Sequence, residues 1–214
     1  MSTRIRAGAL ALAVAGLLFV AYPAVRPWPD ESTVDGATRS MSSNLWVAAH
    51  AFAMIGFILI PLGLLALRSV VQHTRAEALA ASAVLTTWLG AGLTLPYYGA
   101  EDFGLHAIAQ RTAAQHLDIL DLVKGVRYGP TQITFFGVGL VLLGVGAILT
   151  AVAVARSGVL PRWSGVVFAI AFALFIPQFF TGAAVRITHG VIAGIGLVWL
   201  AAVIWRAADR PVPA

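Results

Sequence analysis

Six stretches of this chain, 18 to 24 residues each, are predominantly apolar, and arginines stand beside most of them. A bilayer core about 30 Å thick takes about 20 apolar residues per crossing helix. The stretches are 7–24, 45–67, 78–98, 132–155, 163–180 and 184–205. They predict an all-α, polytopic membrane bundle of six transmembrane helices, a single integral membrane domain over 1–214. Only 11% of the chain is charged and 59% is hydrophobic, whereas a soluble domain carries about a quarter charged residues. A disordered chain, a disulfide scaffold and an ordinary cytosolic enzyme are thereby excluded. The first stretch, preceded by Arg4 and Arg6, also has the outline of a signal peptide. Tyr22 and Pro23 spoil the small-residue cleavage pattern, so a retained helix is expected.

The chain has no cysteine. Thiolate nucleophiles, Cys-ligated zinc, iron–sulfur clusters and covalent haem are therefore excluded, and a metal or cofactor must use His, carboxylate, amide or hydroxyl groups. The net charge of +5 does not point to nucleic acid, because the basic residues sit at helix ends. Thirteen of the fourteen are Arg, as expected of a GC-rich bacterial genome. Eight basic residues (Arg4, Arg6, Arg68, Arg75, Arg156, Arg162, Arg206 and Arg210) fall on the side of the N-terminus. Six (Arg26, Arg39, Arg111, Lys124, Arg127 and Arg186) fall on the other. This bias, with the shorter loops on the first side, places both termini in the cytoplasm of a cell (inner) membrane.

Two outer loops are long. Residues 25–44 are rich in Pro, Asp, Ser and Gly and read as irregular. Within the loop 99–130, Ala113, Leu117, Leu120 and Val123 follow helical spacing, with Arg111, Gln115, Asp118 and Asp121 on another face. That predicts an extracytoplasmic amphipathic helix over Arg111–Arg127, lying on the surface or capping the bundle. Gly137, Gly139, Gly144 and Gly146, and again Gly190, Gly194 and Gly196, form small-residue faces. Such faces suit close helix packing, and can also leave room for a flat ligand.

Polar residues gather at one predicted depth. His50 stands 18 residues before Arg68, His189 17 before Arg206, Gln178 16 after Arg162 and Thr94 19 after Arg75. At about 1.5 Å per residue, all four lie about 24–28 Å above the inner face. Tyr97, Tyr98, Glu101 and Gln132 fall slightly higher. Polar groups in a membrane are costly and usually face the bundle or a wet cavity. The expected ligand-binding set is therefore His50, Thr94, Tyr97, Glu101, Gln178 and His189. Each also has a bland use: a histidine bonds a carbonyl, and Trp46, Tyr97 and Tyr98 anchor at the interface. Asp102 and His106, four apart, share a helical face, a spacing that serves a metal or a surface hydrogen bond. His50, Asp102, His106 and His189 are thus the metal-ligand candidates. His73 and His116 read as solvated.

Four functional readings follow. The leading one is binding or transport of a small or lipophilic ligand at an outer-leaflet polar site, with Pro61, Pro96 and Pro177 interrupting their helices. The second is a b-type haem or other redox site with His50 and His189 as axial ligands, and Gly56, Gly190 and Gly194 making space for the macrocycle. The third is an intramembrane enzyme with Glu101 or Asp102 as general acid or base and His50, His106 and His189 as ligands or proton shuttles; no HExxH motif is present. The fourth is a structural or assembly protein. The expected partners are the lipid bilayer and a small lipophilic ligand.

The topology, together with Pro96-Tyr-Tyr-Gly-Ala-Glu-Asp-Phe-Gly-Leu-His106 and Pro161-Arg-Trp-Ser-Gly165, resembles uncharacterised six-helix bacterial integral membrane proteins. The resemblance implies the topology and no activity, and no site residue is carried over from it.

Overall fold

A computed structural model describes residues 2–115 and 118–208. Among them the chain is helical throughout, with no strand. The helices are α1 (Ser2–Val25), α2 (Val34–Met41), α3 (Asn44–Val70), α4 (Glu77–Gly99), α5 (Leu105–Gln115), α6 (Leu120–Tyr128), α7 (Pro130–Ser157), α8 (Val166–Ala173), α9 (Phe175–Gln178) and α10 (Ala183–Ala207). A π-helical turn, Ala100–Gly104, joins α4 to α5 without interruption. Five helical stretches are long and apolar enough to cross a membrane: Ser2–Val25, Asn44–Val70, Glu77–Gln115, Pro130–Ser157 and Ala183–Ala207. Their outward faces carry exposed Leu10, Leu17, Ile58, Leu85, Val141 and Ile195, as a lipid-facing surface does.

The predicted stretch 163–180 is broken into α8 and α9. Pro177 is the cause: its ring excludes the carbonyl four residues back, that of Ala173, which is where α8 ends. Pro61 and Pro96 were expected to interrupt their helices as well. Instead α3 and α4 run through them, the π turn beginning four residues after Pro96. The loop 25–44 is not wholly irregular. Thr33 caps α2 by accepting a 3.1 Å hydrogen bond from the Gly36 N–H. The single amphipathic helix expected over Arg111–Arg127 is two helices, α5 and α6, and Asp118 accepts from the Leu120 N–H at 2.8 Å just before α6. His116, Leu117, Asp209 and Arg210 lie outside the described residues.

Each long element packs on the next around a closed ring: α1 on α3, α3 on α4, α4 on α7, α7 on α8, α8 on α10 and α10 on α1. Glycines permit the close approaches. A methyl group at Gly139 would stand 2.5 Å from the Thr94 hydroxyl and 2.9 Å from the Gly90 carbonyl. At Gly190 it would stand 2.5 Å from Pro23 and 2.6 Å from the Phe19 carbonyl. Gly158, at φ +71°, ends α7 in the left-handed conformation glycine adopts freely.

Phenylalanines fill the middle of the ring. Phe19 meets Phe57 edge-on at 5.0 Å and Phe172 at 5.5 Å, and Phe57 meets Phe175 at 5.7 Å. At one end α2, α5 and α6 enclose a second core of Met41, Trp46, Leu105, Ala109, Ile119 and Val123. This is the cap end of the bundle.

Candidate functional site

Between the phenylalanine core and the cap lies a cavity of about 460 Å³. That is within the usual range for small-molecule sites, about 300–1,000 Å³. Every sector of the ring contributes to its wall: Tyr22 from α1, His50 from α3, Tyr97 and Tyr98 from α4, Phe136 and Gly137 from α7, Ile176 from α9 and Arg186 from α10. The rings of Tyr97 and Phe136 stack at 4.0 Å with a 12° interplanar angle, giving one flat wall. Tyr128 and Phe180, both exposed, stand at its edge. A methyl group at Gly137 would meet nothing within 4 Å, so this glycine leaves open space where its neighbours Gly139 and Gly146 serve packing.

The cap side of the cavity is ionic. Arg127 on α6 grips Glu101 of the π turn with both prongs: Nε donates to Oε1 at 2.6 Å and Nη2 to Oε2 at 2.9 Å. Its Nη1 reaches Glu31 Oε2 at 2.9 Å, and Arg26 holds the other Glu31 oxygen at 2.5 Å. The Ser40 hydroxyl also donates to Glu31, at 3.3 Å. Burial alone would raise the Glu31 pKa, but Arg26 and Arg127 outweigh it and hold the group below the ordinary carboxylate value. Burial works against the charged Arg127, yet Glu101 and Glu31 hold its pKa above the ordinary value. The four residues form a neutral chain, and Trp46 lies beneath it. Its indole N–H donates to the Glu101 carbonyl at 2.8 Å, and the Arg26 and Arg127 guanidinium carbons stand 4.9 and 5.8 Å from its ring centre.

Arg186 is the third arginine on the cavity and has no carboxylate partner among the described residues. It is held between the Trp28 and Phe179 rings, 4.9 Å from each centre. Its Nε donates to Gln178 Oε1 at 3.2 Å, and its two terminal nitrogens make no hydrogen bond among the described residues.

Of the residues expected from sequence, His50, Tyr97 and Glu101 line this cavity. Gln178 and His189 instead line a small adjoining recess of about 10 Å³, which shares Tyr22 and Arg186 with the main cavity. Thr94 lines neither. It is buried, its hydroxyl donates to the Gly90 carbonyl at 2.8 Å, and it faces Gly139 in the α4–α7 contact. Trp46 and Tyr98, which have the spacing of interfacial anchors, are buried instead.

His50 and His189 do not face one space. His50 Nδ1 donates to the Trp46 carbonyl at 2.8 Å, which in the neutral ring leaves Nε2 as an acceptor. His189 Nε2 donates to the Ala171 carbonyl at 2.8 Å and ties α10 to the last turns of α8. Between them run ring contacts from His50 to Tyr98 to Phe57 to Phe175 to His189. Gly56, Gly190 and Gly194, the glycines considered for a macrocycle, are filled by Phe19, Pro23 and Val20. This arrangement does not fit a bis-histidine haem.

Asp102 and His106 do not bond each other. His106 uses Nδ1 on the Met41 carbonyl at 2.8 Å and has Gln110 Nε2 3.0 Å from its Nε2. Both Asp102 oxygens are buried without a hydrogen-bond partner among the described residues. The wider π turn carries Asp102 out of the i,i+4 alignment of a regular helix. Among the described residues no group of three or more His, Asp or Glu could hold a metal ion.

Arg26, Glu31, Arg127 and Arg186 went unrecognised as site residues because they stand in loops and at helix ends, where charge is ordinary. Their pairing joins segments far apart in sequence, so no local spacing announces it. The chain matches no protein-family model, no curated protein and no solved structure.

Proposed function

We propose that this chain is a multi-pass bacterial inner-membrane protein that binds a small or lipophilic ligand in the cavity at its cap end. Six spans cross the bilayer, the fifth being the broken α8–α9 pair, and the topology is that of the uncharacterised six-helix bacterial proteins it resembles. Both termini lie in the cytoplasm, and α2, α5 and α6 cap the extracytoplasmic side. The eight-to-six distribution of basic residues supports that orientation.

The observation that carries the binding reading is the shape of the ring. All its long helices pack closely along their lengths, yet leave about 460 Å³ open at one level, walled by aromatic and aliphatic groups and roofed by paired charges. A concave, mostly apolar space with a few convergent polar groups is what ligand sites are made of. Among the described residues no charged path leads from the cavity toward the other end, where the phenylalanine core closes the bundle, so binding is favoured over transport.

Native mass spectrometry of the purified protein tests this. The wild type is expected to carry a bound species removable by organic solvent, and Gly137→Phe, which projects a ring into the open space, to lose it. The same added mass on both proteins relative to their bare chains, with the same extractable lipid, overturns the reading.

A further inference from the structure

We infer that the cavity takes an amphiphile with a single anionic head group, a carboxylate or a phosphate, seated on the two free terminal nitrogens of Arg186. This rests on the binding reading above and adds the class of ligand to it.

The argument begins with charge. The cavity wall holds Arg26, Arg127 and Arg186 against Glu31 and Glu101, three positive groups against two negative. The first two arginines are spent on the two carboxylates. Arg186 is left over. Arg186 is half-buried at the cavity wall, and a guanidinium there suits a carboxylate or phosphate partner, because its planar fork matches two acceptor oxygens at once. Here the fork is already oriented. Trp28 and Phe179 hold its plane, and Gln178 takes its Nε. The edge that remains is the Nη1–Nη2 edge, which can donate to two oxygens of one anion.

The rest of the cavity suits the remainder of such a molecule. Phe136, Leu140, Ile176 and Phe179 supply apolar wall below the arginine, and exposed Ile133 and Phe180 continue it to the surface. The two arginines of the roof are paired with Glu31 and Glu101 and offer no free cation to compete with Arg186. A ligand with a positive head group would meet Arg186 unpaired and is disfavoured. A free anion without an apolar part would leave most of the wall uncovered.

The test is equilibrium binding to the full-length protein in a nonionic detergent, read by the rise in melting temperature and by titration calorimetry. The probes are palmitate, palmitoyl lysophosphatidate, hexadecanol and inorganic phosphate. Palmitate or lysophosphatidate is expected to bind about 10- to 100-fold more tightly than hexadecanol, the range of one charge-assisted bidentate contact. Which of the two binds tighter distinguishes a carboxylate from a phosphate head group. Arg186→Gln is expected to reduce the anionic probes to the affinity of hexadecanol, and Arg186→Lys, which keeps the charge without the fork, to restore part of the difference. Hexadecanol binding as tightly as palmitate, or a difference that survives in Arg186→Gln, overturns this inference and leaves the cavity reading standing. Inorganic phosphate binding as tightly as lysophosphatidate also overturns it. Failure of all the chain-bearing probes to bind, with Gly137→Phe indistinguishable from wild type, overturns the cavity reading itself.

Discussion

Arg127 and Glu101 meet fork to fork across 26 residues of chain, at 2.6 and 2.9 Å, and so fasten α6 to the π turn that ends α4. Both side chains are largely buried. Removing one partner from a buried pair leaves an uncompensated charge and costs about 3–5 kcal/mol. Arg127→Gln, which strands Glu101 and half of Glu31, is therefore expected to lower the melting temperature more than Arg39→Gln, whose partner Asp35 is exposed. Thermal unfolding in detergent, monitored by circular dichroism, checks it. Equal effects of the two substitutions contradict the picture of a buried network.

Glu31 gives that network a pH dependence. Its pKa in the folded protein lies below the ordinary 4.5, because the two arginines outweigh the effect of burial. A depressed folded pKa contributes stability that is fully present above the unfolded value and is lost as pH falls through the folded one. The stability difference between wild type and Glu31→Gln is thus expected to hold steady from neutral pH down to about 4.5 and to narrow below it. Melting curves over that range decide; a gap that widens on acidification contradicts the sign.

A glycine of α7 and a glycine of α4 have opposite uses. Gly139→Ala pushes a methyl group against Thr94 and the Gly90 carbonyl and is expected to cost about 1–3 kcal/mol by forcing α4 and α7 apart. Gly92→Ala, where a methyl group meets nothing within 4 Å, is expected to be neutral or stabilising by up to about 1 kcal/mol. The same thermal assay separates them.

The two membrane histidines should also part company. His50→Ala removes a buried ring from the cavity wall, with its bond to the Trp46 carbonyl, and is expected to change binding of the anionic amphiphile and to lower the melting temperature as well. His189→Ala removes the bond from α10 to the Ala171 carbonyl and is expected to lower the melting temperature with a smaller effect on binding. Matching effects of the two in both assays would point back to a shared site.

The long helices were legible because a membrane demands an unbroken run of apolar residues, and such runs need no tertiary information to be read. Pro177 carried the break in the fifth stretch, since its ring acts on its own backbone. That Pro61 and Pro96 sit inside continuous helices was not legible, because surrounding packing decides whether a helix tolerates a proline. Direction around a helix was not legible. His50, Thr94, Gln178 and His189 were placed at one level by counting residues. The turn of each helix then sends His50 into the cavity, Thr94 against Gly139, and Gln178 and His189 to the adjoining recess. The ionic roof was hidden for a different reason. Arg26, Glu31, Glu101 and Arg127 come from three separate segments, and only the fold of the cap brings them together.

The most direct measurement of the central claim is photolabelling with a diazirine-bearing palmitate, followed by peptide mapping. The account predicts label on residues 133–140 and 176–180, displaced by unlabelled palmitate and absent in Gly137→Phe. Label confined to outward-facing positions such as Leu85, Val141 and Ile195, unaffected by competitor or by Gly137→Phe, would contradict it.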